Sequence, residues 1–208
     1  MRSTSVLGAP IYLGVAVALA VTALGTAPAT AATPFGKNLV KNPGAEAGGT
    51  GTNVPDWEID PDFSVGAYGG TGLPSKKQGK NVDGGKQLFS TGPYIVNFDT
   101  CGSARQPIKL KKISGDIDSG SVSVTVSAAM GTKTKDDKAS VILQFRDGNN
   151  HQVGSNLVLN ASTKSKMVIK SKSKVVPRKT RAINVLLQGS VLNATCDAFF
   201  DNVSVVLD

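Results

Sequence analysis

Beyond residue 31 no helical periodicity is sustained over three turns. The clearest pattern is SVSVTVS at residues 121–127, where polar and β-branched residues strictly alternate. A period of two sends successive side chains to opposite faces of an extended backbone, so this segment predicts a strand with one buried face. Further strand candidates follow at residues 140–146, 152–159, 166–170, 182–188 and 198–207, separated by turn residues. Asp147-Gly148-Asn149-Asn150 lies between two of these runs and predicts a hairpin, because Asp, Gly and Asn tolerate the positive φ of tight turns. Many short strands with regular turns predict an all-β sandwich or barrel. Residues 44–92 are different, rich in Gly, Pro, Asp and Thr with Trp57, Phe63 and Tyr68 scattered among them. They predict loops with short strands. Long loops in a compact domain often carry binding function, so a site is sought here first, against the plainer reading of a loosely packed cover.

Residues 1–31 stand apart from this pattern. Arg2 precedes an apolar Ala/Val/Leu-rich run at residues 11–24, and small residues follow, ending Ala29-Thr30-Ala31. This arrangement predicts a secretory signal peptide cleaved after Ala31. The apolar run is shorter than the ~20 residues that span a bilayer, so no membrane span is expected. Residues 32–208 are expected to form a single domain, large enough to bury a core. Its surface is basic: the full chain carries 23 Lys and Arg against 15 Asp and Glu, a net charge of +8. In an oxidising compartment the only two cysteines, Cys101 and Cys196, are expected to form a disulfide rather than a metal pair or a nucleophile.

The order of the segments carries a resemblance. Asn38-Leu39-Val40-Lys41-Asn42-Pro43-Gly44-Ala45-Glu46 opens the domain and Phe200-Asp201-Asn202-Val203-Ser204-Val205-Val206-Leu207 closes it. This pairing resembles the galactose-binding-domain-like β-sandwiches, most of all the carbohydrate-binding modules appended to bacterial cellulases and xylanases. Residues 127–146, the turn at 176–181 and the strand at 182–187 are similar to secreted actinobacterial members of the superfamily. The resemblance implies a jelly-roll β-sandwich of about eight antiparallel strands. It also implies a structural Ca²⁺ tying the opening loop to the last strand, with Glu46 and Asp201 as its side-chain ligands and loop carbonyls completing the six to eight oxygens the ion takes. Without the ion, Glu46 is solvated and Asp201 caps a turn.

Catalytic chemistry has few candidates. The single histidine, His151, follows the predicted hairpin turn and is expected to be solvated, which removes Ser-His-Asp and Cys-His arrangements and catalytic zinc. No phosphate-binding glycine loop is present. Glu58, Asp60 and Asp62 alternate and would share one face of an extended segment. Glycosidases need carboxyls roughly 5–9.5 Å apart across a cleft, usually from different strands, so one local run is a poor match. Asp136 and Asp137, among Lys133, Lys135 and Lys138, are expected to form a solvated turn. The chain is accordingly not expected to be an enzyme.

Binding is better supported. Sandwich modules stack flat rings on pyranose faces while amides and charged groups bind hydroxyls, and the rings to test are Trp57, Tyr68, Tyr94 and Phe98. Each also has a plain reading as a core residue. Lys170, Lys172 and Lys174 alternate with Ile169, Ser171 and Ser173, and with Arg178 they suggest a basic ridge able to attract anionic cell-wall polymers. Edge lysines also guard a sheet against aggregation, and both readings stand. Nucleic acid is not expected as a partner, because stacking aromatics are not interleaved with the charges. The expectation is a monomeric, extracellular bacterial binding module for a polysaccharide or cell-wall glycan, with the basic ridge as the alternative.

Overall fold

The computed structural model describes residues 33–60, 62–92, 101–191 and 196–208. Ten strands follow one another: β1 Glu58–Ile59, β2 Ser64–Ala67, β3 Gln87–Ser90, β4 Ser103–Lys109, β5 Ser123–Thr132, β6 Asp137–Arg146, β7 Leu157–Ala161, β8 Lys166–Val175, β9 Ala182–Val191 and β10 Ala198–Leu207. Two short helices interrupt them, α1 Lys76–Asn81 and α2 Ser114–Ser119, the latter preceded by a 3-10 turn at Lys111–Ile113. The strands form two five-stranded sheets, ordered β1-β4-β9-β6-β7 and β2-β3-β10-β5-β8. Every pairing is antiparallel. The predicted sandwich is present, with ten strands in place of about eight.

Alternation along the strands builds the core between the sheets. Val124, Val126 and Ala128 of β5, Val141, Leu143 and Phe145 of β6, Ile183, Val185 and Leu187 of β9, and Phe200, Val205 and Leu207 of β10 are all buried in one cluster. Trp57 belongs to the same cluster, its ring edge-on to Phe89 with centroids 5.4 Å apart. A smaller cluster lies on the outer side of the second sheet, where Leu88, Ala129, Met167 and Phe199 are covered by Tyr68 and Val82 from the α1 loop. Ser75 and Gln78 close the start of α1 with a reciprocal capping box, which satisfies two otherwise unpaired backbone donors.

The opening and closing segments meet as the resemblance requires. Gly36 N–H donates to Leu207 O and Leu39 N–H to Val205 O, both at 2.9 Å, while Asn38 Oδ1 accepts from the backbone of Val40 and Val205. Along β10, β3 reaches only Phe199 and Phe200, so the opening segment takes its place alongside the rest of β10. Between Asp201 and Ser204 the β10 register slips against β5, and Asn202 adopts a φ of 49° there. Asp201 follows Phe199 onto the outer side of the sheet, under the α1 loop, and the bulge after it returns Val203 and Val205 to the core.

Several boundaries depart from the sequence pattern. The strand expected at residues 152–159 starts instead at Leu157, because Gln152 makes only an isolated bridge to Arg146 and Gly154 turns the chain at a φ of 64°. β4 was not expected at all, since Pro107 interrupts it. The proline is tolerated because β1 pairs only with Ala104 and Arg105, leaving one side of β4 without a partner at residue 107. The hairpin turn forms as expected, with Asp147 Oδ1 accepting from the backbone of Asn149 and His151. The Cys101–Cys196 disulfide is present, joining residues 95 apart with Cα atoms at 5.3 Å.

Candidate functional site

The outward face of the first sheet is built from the residues that alternate with its core. Their registers align them in rows across the strands. In one row Arg105 of β4 stands beside Leu186 of β9, Ile142 of β6 and Val158 of β7. Leu186, Ile142 and Val158 are half-buried and form an apolar stripe. One row along, Gln188, Ser140 and Asn160 are neighbours, and on the opposite flank Asn184 lies between Pro107 and Gln144. Rows two residues apart are separated by about 7 Å. Asn184 points outward by register and is nevertheless only 5% exposed, as Ser140 is 8% exposed, while Gln188 and Asn160 are open to solvent.

The polar groups on this face are incompletely satisfied. Ser140 Oγ donates to Asn160 Oδ1 at 2.9 Å, and Arg146 Nη2 donates to Gln144 Oε1 at 2.6 Å. Arg146 Nε is buried without a hydrogen-bond partner. An orphaned buried donor is costly and uncommon, and amides beside it both donate and accept. An apolar strip flanked by amides matches the two faces of a sugar ring, with its C–H groups against the strip and its hydroxyls at the flanks. No signal in the sequence pattern singled these residues out, because each is an ordinary outward strand position; only the sheet register brings them together.

The predicted rings fare differently. Trp57 is 7% exposed and donates through Nε1 to Asn42 O at 3.2 Å, so it fastens the opening loop and has no face left for stacking. Tyr68 is 5% exposed and packs over the second sheet. Both are corrections to the expectation of exposed platforms, made by the need to cover Phe89 and Leu88. Tyr94 and Phe98 lie outside the described residues.

Glu46 and Asp201 both approach Gly44, where a Cβ would lie 3.1 Å from Asp201 Oδ1 and 4.0 Å from Glu46 Cγ. Asp201 is fully buried and accepts from Tyr68 Oη at 2.6 Å through Oδ2 and from its neighbour Asn202 N–H at 2.7 Å through Oδ1. Glu46 Oε1 accepts from the backbone N–H groups of Lys86 and Gln87 at 2.7 and 2.9 Å. Burial pushes the Asp201 carboxyl up to about 6, and the negative charge of Glu46 adds to the effect. Burial and the Asp201 hydrogen bond raise Tyr68 as well, so its hydroxyl stays protonated. A side chain at Gly84 would strike Asp201 Oδ2, and one at Gly85 would strike the Glu46 carboxylate. Glycine at these positions therefore keeps the approach to both carboxylates clear. No described cation pairs with either group.

The lysine ridge sits on β8, an edge strand. Lys170, Lys172 and Lys174 pair in register with Ala128, Val126 and Val124, which point into the core. The lysines therefore share the inward side of the sheet and hang across the open flank of the sandwich. Lys174 Nζ donates to Ser155 O at 2.6 Å and lies 5.6 Å from the centroid of the Phe145 ring. Arg178 is not part of this row: the chain leaves the strand at Val176-Pro177, and Arg178 Nη2 donates to Ser119 O at the end of α2.

The local carboxylate run is occupied structurally. Glu58 is bound by Arg105 at 2.6 Å, and Asp60 Oδ2 accepts from both N–H and Oγ of Ser103. Asp137, expected in a solvated turn, is only 2% exposed and accepts from Thr134 N–H and Oγ1, holding the turn closed from inside. His151 is at the hairpin tip with its side chain 78% exposed. Among the described residues no helix is long and apolar enough to cross a membrane, and the disulfide fits an extracellular protein.

Neither a protein-family model nor a curated protein matches the chain. Solved structures do. The carbohydrate-binding module TmCBM61, determined in complex with beta-1,4-galactotriose, superposes with a TM-score of 0.53 at 13% identity, over 83% of this chain and 99% of that one. Family 16 Carbohydrate Binding Module-2 gives 0.51 at 19% identity, over 81% and 99%. The enzymatically active domain of bacteriophage CBA120 tailspike protein 4 gives 0.55 at 12% identity over 82% of this chain, which spans only 21% of the tailspike chain. At these identities the likeness is one of fold. The chain has the galactose-binding-like β-sandwich fold of these carbohydrate-binding modules.

Proposed function

We propose that the protein is a secreted, non-catalytic module that binds a polysaccharide or cell-wall glycan on the outward face of its first sheet. The observation that carries this reading is the Leu186-Ile142-Val158 stripe between the Asn184/Gln144 and Gln188/Asn160 flanks, with the orphaned Nε of Arg146 one row beyond Gln144. Ring hydroxyls of a bound sugar would pair with the amides and the guanidinium, while the ring's C–H face would cover the stripe. The module resemblance and the disulfide support an extracellular location, and residues 1–31 have the pattern of a signal peptide.

A structural Ca²⁺ belongs to the same proposal. The residues fit it: two carboxylates, hard oxygen donors, face a region cleared by glycines, and the buried Asp201 lacks a cationic neighbour among the described residues. Glu46 and Asp201 would hold the ion with backbone carbonyls, and its charge would keep both carboxyls ionised while tying the opening loop to β10.

Purified protein incubated with neutral and acidic polysaccharides and with bacterial cell wall, at low and high salt with calcium present, tests the reading. Retention on a neutral glycan that survives high salt, and is lost on Asn184→Ala or Leu186→Asp while the variant stays folded, is the expected result. Retention only on acidic material and only at low salt, abolished by Lys170→Glu/Lys172→Glu, would favour the second reading, which rests on the exposed, unpaired ammonium groups of Lys170 and Lys172.

A further inference from the structure

The α1 loop, folded over the outer side of the second sheet, leaves a cavity of about 460 Å³ away from the glycan face. Its walls are Ala67, Tyr68, Lys76, Lys80, Gly85 and Lys86. The volume lies within the ~300–1,000 Å³ of small-ligand pockets. Lys76 and Lys80 are one turn apart on α1 and Lys86 stands on the far side of the opening, so three basic residues line one cavity. No acidic side chain lines the cavity, and no ion pair among the described residues engages any of the three lysines.

Two further features keep the cavity open. Gly85 has no room for a side chain on the Glu46 side, and a Cβ at Gly79 would come within 2.9 Å of the Tyr68 ring. Helix and ring are therefore in direct backbone contact, and this fixes the separation between the lysines and the floor. Neither Glu46 nor Asp201 is among the residues that line the cavity, and Glu46 Oε1 accepts from the Lys86 backbone N–H at its edge at 2.7 Å. Three like charges around one opening repel one another, and an anion entering the cavity relieves that repulsion while losing little of its own solvation at an open mouth.

We propose that this cavity is a second binding site that takes an anionic sugar unit. Its carboxylate or phosphate group is held by Lys76, Lys80 and Lys86, and its body rests against Ala67 and the backbone at Gly85. The site differs from the β8 lysines, which form an exposed row with no concavity, and it is independent of the neutral-glycan reading of the first sheet. A basic protein with one site for neutral rings and another for charged ones would favour glycans that carry both.

The test titrates the ¹⁵N-labelled protein with oligogalacturonate, with a phosphorylated mannan oligosaccharide and with a neutral galactan oligosaccharide, at 50 and 300 mM NaCl. The expected result is saturable movement of the Gly85 and Lys86 amide signals with either or both anionic probes and not with the neutral one. Whichever probe acts identifies the source of the charge. Lys76→Gln/Lys80→Gln/Lys86→Gln should weaken that binding at least tenfold with an unchanged melting temperature, while Lys170→Gln/Lys172→Gln leaves it intact. The proposal is overturned if neither anionic probe moves these signals, if the triple variant binds as before, or if only the β8 variant loses binding. Neutral-glycan retention by the triple variant, scored separately with Asn184→Ala as control, keeps the fate of the first-sheet reading apart from this one.

Discussion

Asp201→Asn, followed across pH in the presence of chelator, probes the centre of the structure. In the unfolded chain this carboxyl ionises near its ordinary 3.8, whereas burial holds it at about 6 in the fold. Between those values the folded state keeps a proton that the unfolded state has released. The stability from this group is thus fully present below pH 3.8 and is lost as pH rises through 6. A difference of that size corresponds to about 3 kcal/mol at 1.36 kcal/mol per unit. For a domain of this length it is about 6–12 °C in melting temperature, at roughly 2–4 °C per kcal/mol. Asparagine cannot ionise, so the wild-type minus variant difference isolates the effect from every other titrating group. The loss of one hydrogen bond to Tyr68 or Asn202 costs the variant about 1 kcal/mol at all pH values and leaves the slope untouched. Thermal unfolding by circular dichroism from pH 4 to pH 7, with 1 mM EDTA, should show wild type losing ground to the variant as pH rises. A flat difference would refute the argument that Asp201 is held neutral by burial. Millimolar Ca²⁺ at pH 7 should restore wild type and leave the variant unmoved, since an ion that binds only the fold adds its binding energy to stability.

Other perturbations give separate readouts. Cys101→Ser/Cys196→Ser opens a loop of 95 residues and should cost about 2–4 kcal/mol in urea unfolding. Trp57→Ala should destabilise by about 3–5 kcal/mol, seen as a lower denaturation midpoint, and glycan retention should fall only in proportion to the unfolded fraction. Leu186→Asp should do the reverse, removing retention on a neutral glycan with a shift in midpoint worth under about 1 kcal/mol, since Leu186 is already part-exposed. His151→Ala should change neither, as its side chain is 78% exposed at a hairpin tip.

The strictly alternating or β-branched strands were legible because burial of one face enforces a period of two; residues 123–127 of the alternating run fall within β5, and residues 198–207 match β10, for that reason. β4 was hidden by Pro107, whose cost disappears only once the short reach of β1 is known. α1 was hidden because six residues, KKQGKN, carry no helical periodicity and are defined by the Ser75–Gln78 capping box. Trp57 and Tyr68 were chosen as rings, yet a scarce aromatic in a small sandwich is claimed first by the core, and both were. The Glu46–Asp201 pair came from the ordered opening and closing segments. The amide-flanked stripe did not, because Leu186, Ile142 and Val158 are 16 or more residues apart and only strand register makes them neighbours.

The position of β10 has a consequence for the order in which the molecule can be assembled. It follows every other strand in the chain and yet lies in the middle of its sheet, with β2 and β3 on one side and β5 and β8 on the other. Before residues 198–207 are in place these are two separate strand pairs with no ladder hydrogen bonds between them. The edges of β3 and β5 that face each other across the gap are both unprotected. The disulfide partner Cys196 and the carboxyl of Asp201 also arrive with this strand. A chain that has not yet delivered its last strand is therefore two half-sheets waiting for a keystone, and sheet closure, cross-linking and docking of the opening segment all follow from one late event.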